Sequence, residues 1–444
     1  VVWVNARAPE QWRILRAPEA LATCGEVAAT QDHATVIASL VGDVLRPAAQ
    51  THNIHAKPHP GLTTLEHERW HPRSNPLWHG YRRIEALFGS ERGKSPFRSI
   101  AMGSAPPEAI GTGSAAPGLA ERAAWAGADQ ALADQVEASV LRRFAWADGV
   151  SAHLSDAYRG GMVVNFLLSS FAIVAGISYL PFVSTDEKWL FAAFELLLLV
   201  VILGITWLGQ SRRWHGRWFE TRRVAEYLRH SPLLLALGVA RAPGRWPRGA
   251  ETSWPEWYVR QALRDIGLPS VAVTTAYLRS ALTGLLGDHV IRQRDYHFDK
   301  ARRLTTIHHN LDRFSEFLFK LAVGSVVVYL LLISGTAMDL VAGAAIGHAA
   351  KYFTVFGVLF PTFGGAIAGL RFFGDFERFA AISEVTAEKL DAVHNRIVLL
   401  AAAPDDALDY GRVAELAHAT DEIVVAEIEN WQAVFGGKQI TVPV

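Results

Sequence analysis

The stretch MVVNFLLSSFAIVAGISYLPFV (162–183), STDEK (184–188) and WLFAAFELLLLVVILGITW (189–207) decides the fold. Each apolar block is close to the length of about 20 residues that a helix needs to cross the hydrocarbon of a bilayer. The polar break is short and Pro181 stands beside it, so the two helices are predicted to be antiparallel neighbours in a transmembrane hairpin. A buried helical pair of a soluble protein is the alternative, which two consecutive full-length spans make less favoured.

A second pair of apolar stretches follows, FSEFLFKLAVGSVVVYLLLISGTA (314–337) and YFTVFGVLFPTFGGAIAGLRFF (352–373). Pro361 and the pair Gly364-Gly365 interrupt the last of them, which makes it the least regular of the predicted spans. Four membrane crossings in two hairpins are therefore predicted.

Basic residues flank both predicted hairpins, whereas the loop inside each hairpin holds a single lysine, Lys188 or Lys351. Lys and Arg are retained on the cytoplasmic side of a membrane. The termini and all large segments are therefore predicted to lie in the cytoplasm. The flanking residues are Arg142, Arg143, Arg159, Arg212, Arg213, Arg217, Arg222, Arg223, Lys300, Arg302, Arg303, Arg313, Arg371 and Arg378.

The composition limits the classes of partner. The 444 residues balance 43 Lys and Arg against 43 Asp and Glu, so no overall field attracts nucleic acid, and none is expected as a partner. Phospholipid head groups are sufficient to explain the local basic clusters. Cys24 is the only cysteine, which excludes an internal disulfide and a multi-cysteine metal site. The opening VVWVNA is typical of a buried parallel strand, so we expect further sequence upstream and no signal peptide here.

The predicted fold is an all-α polytopic membrane protein with long helical cytoplasmic extensions and a short α/β remnant at the N-terminus. Residues 1–118 form a soluble segment with the strand remnant, a His/Pro-rich region and a Gly/Ser/Pro linker at 89–118. The other predicted segments are 119–235 with a cytoplasmic helix and the first hairpin, 236–312 as a helical connector, 313–375 as the second hairpin, and 376–444 as a C-terminal cytoplasmic helical bundle.

Helical periodicity supports the cytoplasmic extensions. Leu119–Arg159 lacks proline and is predicted to run straight into the first span as one long helix. After the second span, Glu226 can pair with arginines at i,i+3 or i,i+4 on a helix. Pro404-Asp405-Asp406 is predicted to end the helix that follows the fourth span. RWFETRRVAEYLR and RFFGDFERFAAI open corresponding helices after the two hairpins, although their similarity is too loose to establish a duplication.

Glu195 is an acid with several apolar residues on both sides inside a predicted span. An ionised carboxylate at mid-bilayer costs roughly 2.5–3.5 kcal/mol on insertion scales. We therefore interpret Glu195, together with Asn165 of the first span, as a candidate for lining a pore or a subunit interface. Glu195 reaching the outer surface, or being neutral and hydrogen-bonded, is the alternative. Lys320 lies at another depth and is predicted to extend to the cytoplasmic interface.

Gly365 and Gly369 have GxxxG spacing within an apolar span, and Gly364 and Ala368 add further small residues. Small residues let two helices approach closely, and packing drives helix association in lipid. A tight helix contact is predicted here, either within the chain or between copies.

Aromatic rings and basic side chains prefer the level of the lipid head groups. A group of such residues around the end of the second span is predicted to anchor it at the membrane interface. These residues are Trp207, Arg212, Arg213, Trp214 and Trp218.

Six histidines cluster in the N-terminal segment: His52, His55, His59, His67, His71 and His79. Zinc binds imidazole at such spacings, but the sequence lacks CxxC and the prolines favour an irregular loop, so no metal or other cofactor is predicted. His297 and the pair His308-His309 are interpreted as a polar helix face, with a pH-sensitive gate as the alternative. Walker A, GxGxxG, GxSxG and kinase motifs are absent from the sequence, so no catalytic residue and no enzyme activity are predicted.

VVWVNA resembles the closing strand of the Rossmann-like nucleotide-sensing domains called SLOG. WHGRWFETRRVAEYLR (214–229) and LFPTFGGAIAGLRFFGDFERFA (359–380) are similar to bacterial proteins that fuse SLOG domains to transmembrane helices. The plan resembles that of the SLOG-associated two-helix transmembrane effectors (SLATT), here with two hairpins, over roughly residues 129–431. The resemblance implies an effector in the bacterial plasma membrane that answers a nucleotide signal in antiphage defence. The phosphate-binding loops of a SLOG domain are not in this sequence, so nucleotide binding is transferred to no residue and would use a region outside it.

Three functions remain open at this point. The favoured one is a homo-oligomeric pore or membrane-disrupting effector gated from the cytoplasm. The second is a non-conducting membrane scaffold, and the third is a membrane-bound enzyme. The lipid bilayer and other copies of the chain are the expected partners.

Overall fold

The computed structural model describes residues 2–4, 12–14, 68–70, 80–89, 103–125, 129–183, 187–239, 254–266, 269, 271–338, 343–435, 440 and 442 of the chain. The chain divides into two compact units, Val1–Leu65 and Glu66–Val444. Cys24, the six clustered histidines and most of the predicted segment 1–118 lie outside the described residues.

Two short strands represent the first unit. Strand β1 (Val2–Val4) pairs antiparallel with β2 (Trp12–Ile14), so that Trp3 lies opposite Arg13. The predicted parallel pairing of VVWVNA is therefore wrong: the strand pairs with a segment that follows it closely, and antiparallel neighbours need only a short connection.

The second unit is built from helices, in the order α1 (Gly80–Phe88), α2 (Ala116–Trp125), α3 (Gln130–Gln135), α4 (Arg142–Phe182), α5 (Lys188–Ser211), α6 (Trp214–Ala236), α7 (Trp254–Ile266), α8 (Thr275–Ser280), α9 (Asp288–Ala337), α10 (Gly343–Gly374), α11 (Phe376–Ala401) and α12 (Tyr410–Phe435). Two π-helical segments, Val136–Leu141 and Ala281–Gly287, lead into α4 and α9. The predicted stop after α11 is confirmed by a 3₁₀ turn at Asp405–Ala407.

The helix predicted from Leu119 into the first span is wrong at one point. Helix α2 ends at Trp125, and α3 begins after Asp129, whose carboxylate caps it by accepting a hydrogen bond from the Leu132 amide at 2.9 Å. From Gln130 onward the helical path reaches Phe182 as predicted.

Part of the predicted Gly/Ser/Pro linker is packed, in contrast to the expectation. Ala105, Ile110 and Ala115 are buried, and the 3₁₀ turn Gly113–Ala115 precedes α2. Gly113 adopts φ = 61°, a left-handed conformation that glycine tolerates better than other residues. A β-carbon at this position would also come within 2.9 Å of the Ala105 amide nitrogen. Small side chains and this turn let the segment lie against the helices despite its composition.

Among the described residues, four helices are long and apolar enough to cross a membrane: Gln130–Phe182, Lys188–Ser211, Thr275–Thr336 and Ala349–Ala401. Pro361 lies inside α10 and does not end it.

These apolar helices pack as an open row. The contacts Asn165–Thr206 and Gly176–Glu195 show that α4 and α5 run antiparallel. Helices α9 and α10 are likewise antiparallel, with Ser315 donating to the Gly364 carbonyl at 3.2 Å. Helix α4 packs on α10, whereas α5 makes no comparable contact with α9 or α10 among the described residues. The order across the row is therefore α5–α4–α10–α9.

The order of elements is repeated. We call residues 129–236 the first half and residues 274–401 the second half. Each half starts with a side-chain cap (Asp129 or Thr274), then has a six-residue helix, a π-helical segment, a long helix and a returning apolar helix. Each then turns into its last helix at a residue with left-handed backbone: Arg213 (φ 48°, ψ 41°) or Asp375 (φ 47°, ψ 38°). The loose sequence similarity after the two returning helices thus marks a repeated chain path.

One apolar core connects the two halves below the row. Tyr158 of α4 packs on Trp218 of α6 and on Phe373 at the end of α10, with ring centroids 5.8 and 5.5 Å apart. Tyr81 of α1 stacks on Phe376 of α11 at 5.9 Å. These contacts mark where α4, α6 and α11 enter the part of the chain that is predicted to be cytoplasmic. A cavity lies beside them.

Candidate functional site

A cavity of about 470 Å³ lies where α1, α4, α6, α9, α11 and α12 meet. Six basic and five acidic side chains line it together with aromatic rings and serines. The charged residues are Arg82, Arg159, Arg222, Arg229, Lys300, Arg303, Glu85, Asp148, Asp156, Glu226 and Glu427.

Aromatic rings hold two of the cations at the cavity wall. The Arg159 guanidinium lies 4.6 Å from the ring centroids of both Tyr81 and Trp218, and 5.6 Å from that of Trp431. The Lys300 ammonium lies 4.4 Å from the Trp431 centroid. Cation–π contact of this kind stabilises a charge that burial has removed from water, so α4 and α9 present positive charge in fixed positions.

Helix α6 contributes a carboxylate between arginines. Glu226 is buried and pairs with Arg222 one turn before it and with Arg229 at 3.2 Å. Burial alone would raise the pKa of Glu226, but Arg222 and Arg229 hold this pKa well below its ordinary value. Asp148 of α4 completes the cluster by accepting hydrogen bonds from Ser114 at 2.7 Å and Arg222 at 3.2 Å. The predicted i,i+3 and i,i+4 pairing on this helix is confirmed, and it is buried.

Ion pairs between helices close the other walls. Arg82 of α1 donates to Asp156 at 2.7 Å, and Lys300 of α9 donates to Glu427 of α12 at 3.0 Å. His297 lies 3.6 Å from the same Glu427 carboxylate and is almost fully buried. Burial lowers the pKa of His297 to about 4, so this imidazole is neutral at pH 7.

A chain of buried polar groups leads away from the cavity. His230 lies 3.7 Å from Glu226, and its Nδ1 is 2.8 Å from Nε2 of His289. His289 in turn contacts Glu121 at 3.0 Å, and Arg292 pairs with that carboxylate. Burial lowers the pKa of His230, which favours a neutral His230 ring in the hydrogen bond with His289. This arrangement ties α6, α9 and α2 together.

The cavity combines fixed cations, paired carboxylates, hydroxyl groups and flat aromatic surfaces. Cations and hydroxyl donors suit phosphate or carboxylate groups, and Trp and Tyr faces suit planar rings. These features favour binding of a small polar ligand.

The structure places both predicted pore or interface residues between α4 and α5. Asn165 is fully buried and donates to the Thr206 hydroxyl at 3.0 Å, so it lines no open surface in this conformation. Glu195 is half-buried, and its carboxylate lies over Gly176, where a β-carbon would come within 2.7 Å of Oε2. Lys320 pairs with Glu316 on the exposed face of α9 at 2.7 Å.

The GxxxG motif is divided between two environments. Gly369 lies against the Phe166 ring of α4, and a β-carbon built on Gly364 would lie 3.9 Å from Leu318 of α9. Gly365 and Ala368 are exposed, with no heavy atom of the described residues within 4 Å of a β-carbon built on Gly365. Within the chain, Gly369 therefore makes the close helix contact.

One predicted membrane anchor is corrected. Trp218 is only 4% exposed and packs among Tyr158, Phe219 and Arg159, so it is a core residue of the cavity wall. Trp218 lies about one turn into α6, after the left-handed turn at Arg213, and there α6 already packs in the helical core. Trp207, Arg212 and Arg213 are exposed and Trp214 is half-buried, which is compatible with the predicted location.

Sequence reasoning missed the cavity. Arg159, Arg222 and Lys300 are interpreted above as membrane-flanking charges, whereas they line a buried site assembled from separate helices. The available signal for a buried site was Glu226 in an arginine-rich segment that also contains Trp218. A charged helix that faced only water would not be expected to contain such a large ring. His308 lies 3.8 Å from Glu377, and burial lowers the pKa of His308 despite this carboxylate. The described residues contain no group of three or more His, Cys, Asp or Glu side chains arranged to hold a metal ion.

Comparison of the chain with protein-family models, curated proteins and solved structures finds no match. The resemblance to SLOG-associated membrane effectors therefore depends on the quoted motifs alone.

Proposed function

We propose that the protein is a membrane effector whose four apolar helices cross the bacterial plasma membrane as two hairpins from the cytoplasmic side, and whose cytoplasmic cavity binds the controlling ligand. One observation carries the proposal: α4 and α9 line the cavity and continue without interruption into the apolar segments. A ligand that shifts Arg159 or Lys300 therefore acts on the same rigid helices that lie in lipid.

The chemistry of the cavity supports a phosphate-bearing ligand with a planar ring. Arg159 and Lys300 supply positive charge next to Trp218 and Trp431, which suits a phosphate group and an aromatic base side by side. This class agrees with the nucleotide signal that the SLOG resemblance implies. The cavity now offers residues for it within this chain.

The favoured output is ion or solute flux, with a non-conducting scaffold as the second candidate. Asn165 of α4 faces α5 and is buried, and the half-buried Glu195 of α5 lies over Gly176 of α4. Flux therefore requires a conformational change or another copy that exposes Glu195, whereas the scaffold requires neither.

The test uses the full chain in liposomes loaded with a self-quenching dye, with ATP or inorganic phosphate added as probes. Dye release on addition of ATP is expected, and Lys300→Gln should raise the ATP concentration required at least tenfold. Lys389→Gln, on the exposed surface of α11, is the matched control.

A second readout separates binding from flux. Glu195→Ala is expected to reduce release while calorimetric binding of ATP stays unchanged, because the residue is remote from the cavity. Binding without release in the wild-type protein would favour the scaffold. Absence of both binding and release with either probe would overturn the proposed ligand class.

A further inference from the structure

The row of apolar helices has two unequal edges. Helix α4 has α5 on one side and α10 on the other, whereas α5 and α9 end the row. In each half we call the long helix (α4 or α9) the outgoing helix and the apolar helix after it (α5 or α10) the returning helix. The two halves meet through the outgoing helix α4 of the first half and the returning helix α10 of the second. The helices left at the edges are also one outgoing helix, α9, and one returning helix, α5.

The contact between α4 and α10 shows how such a pair packs. Phe166 fits over Gly369, Phe171 meets Phe363 edge to face at 5.0 Å, and Ser170 donates to the Thr362 carbonyl at 3.3 Å. The pair is antiparallel, so directions alternate across the row, and a returning helix placed beside α9 would continue the alternation.

The free faces of α9 and α5 have small and large side chains at matching spacings. On α9, the face away from α10 has Gly324, where a built β-carbon would have no neighbouring atom of the described residues within 4 Å. Leu331 follows seven residues later and is 67% exposed. On α5, the face away from α4 has Val200, which is 55% exposed, and exposed Ala193 seven residues before it. In antiparallel register, Val200 meets Gly324 and Leu331 meets Ala193.

The depths of these residues agree. Gly324 follows Arg313 by eleven residues, and Val200 precedes Arg213 by thirteen, so the two differ by less than one helical turn when the arginines mark the same membrane surface. The free face of α9 also carries the Glu316–Lys320 pair. A protein neighbour or the water at the membrane surface accommodates such a pair better than lipid hydrocarbon does.

We propose that copies of this chain associate head to tail, with the α9 edge of one copy against the α5 edge of the next, in repetition of the α4–α10 contact. A contact between two different surfaces builds a ring or an open array rather than a two-fold dimer. The proposal uses only the membrane location from the proposed function and does not depend on the ligand.

The experiment is disulfide trapping in the full chain in lipid nanodiscs or native membranes, in a Cys24→Ser background. The double variant Val200→Cys with Gly324→Cys is expected to form a ladder of covalent oligomers on oxidation. The single variants are expected to remain monomeric alone and to give only a dimer when co-expressed. Ser170→Cys with Thr362→Cys is the positive control, since it should close within one chain and leave the mass unchanged.

Two outcomes would overturn the proposal: trapping of either single variant with itself, which indicates a two-fold interface, or absence of trapping while the positive control closes. Native mass measurement of the unmodified protein supplies an independent test, in which a monomer also overturns it. A monomer that still binds ATP and releases dye would leave the proposed function intact, because the cavity is formed within one chain.

Discussion

The two halves follow the same chain path and differ in what surrounds their last helix. Helix α6 is buried along most of its length, between α4, α7 and α12. Helix α11 buries only one stripe against α9 and α12 and exposes Val385, Val398 and Leu399. The first half therefore holds most of the buried charges of the cavity, while the second half supplies Lys300 and much of the wall. The same chain path therefore forms part of a binding site in α6, where neighbouring helices cover it and supply counter-charges, and not on the exposed face of α11.

The largest expected effect contrasts Glu226 with Glu388. Each lies thirteen residues after the left-handed residue of its half, but Glu226 is buried among arginines and Glu388 is exposed. Glu226→Ala leaves buried positive charge without its partner and is expected to cost about 3–5 kcal/mol of unfolding free energy. Glu388→Ala is expected to stay within about 0.5 kcal/mol.

The measurement is denaturant unfolding in detergent, followed by tryptophan fluorescence. Similar losses for both variants would show that burial does not distinguish the halves. A fully unfolded Glu226→Ala variant would be compared with Glu226→Gln, which keeps the volume and is expected to lose less.

The next effect is a pH dependence of stability from His297 of α9, a position at which the first half has no titrating group. His297 lies ten residues after its π-helical segment, and the corresponding residue of the first half is Ser151, which does not titrate. The folded pKa of His297 is about 4, because burial outweighs the attraction of Glu427, while the unfolded value is near 6.5. Between these values the unfolded chain binds more protons, so stability falls as pH falls from about 6.5 to 4. The full loss is about 3 kcal/mol.

The His297→Gln variant removes this contribution, and its unfolding free energy is expected to change less than that of the wild type between pH 7 and pH 5. His230 acts in the same direction, since burial also lowers its pKa, and it contributes to the slope that remains. Equal pH slopes for the wild type and His297→Gln would contradict the assignment.

A smaller effect tests the contact between the halves. A β-carbon at Gly369 would lie 2.6 Å from the Phe166 ring, whereas one at Gly365 would meet open space. Gly369→Ala is expected to cost about 1–2 kcal/mol because the ring must move. Gly365→Ala is expected to leave the folded chain unchanged or slightly more stable. The same denaturant assay checks both, and equal effects would place the contact elsewhere.

The sequence predicted the parts of the fold that depend on local pattern. The apolar runs around 162–207 and 314–373 predicted helices of membrane-spanning length, and Pro404 predicted the end of α11. The cavity depends on contacts between distant segments, such as Lys300 with Glu427, which no local pattern records. Trp218 was misplaced for the same reason: an amphipathic ring suits a membrane interface and a buried cation–π contact equally well. In the sequence, the only sign of the repeated path is the loose similarity between RWFETRRVAEYLR and RFFGDFERFAAI. The two left-handed residues, Arg213 and Asp375, have different side chains and therefore give no common pattern.

The smallest effect concerns those two residues. A left-handed backbone costs a residue with a β-carbon roughly 1–2 kcal/mol, and Asp tolerates it better than most. Among the described residues, Arg213→Gly loses only an exposed contact with Glu220 at 3.8 Å and is therefore expected to raise the thermal midpoint by a few degrees. Asp375→Gly is expected to change it little, since Gly relieves less strain there and loses the contact between Asp375 and Arg378 at 3.7 Å. Arg213→Val and Asp375→Val should both lower the midpoint, because a β-branched residue resists positive φ. If the valine variants lowered it in only one half, the two turns would not be equivalent, and the repeat would end at the returning helices.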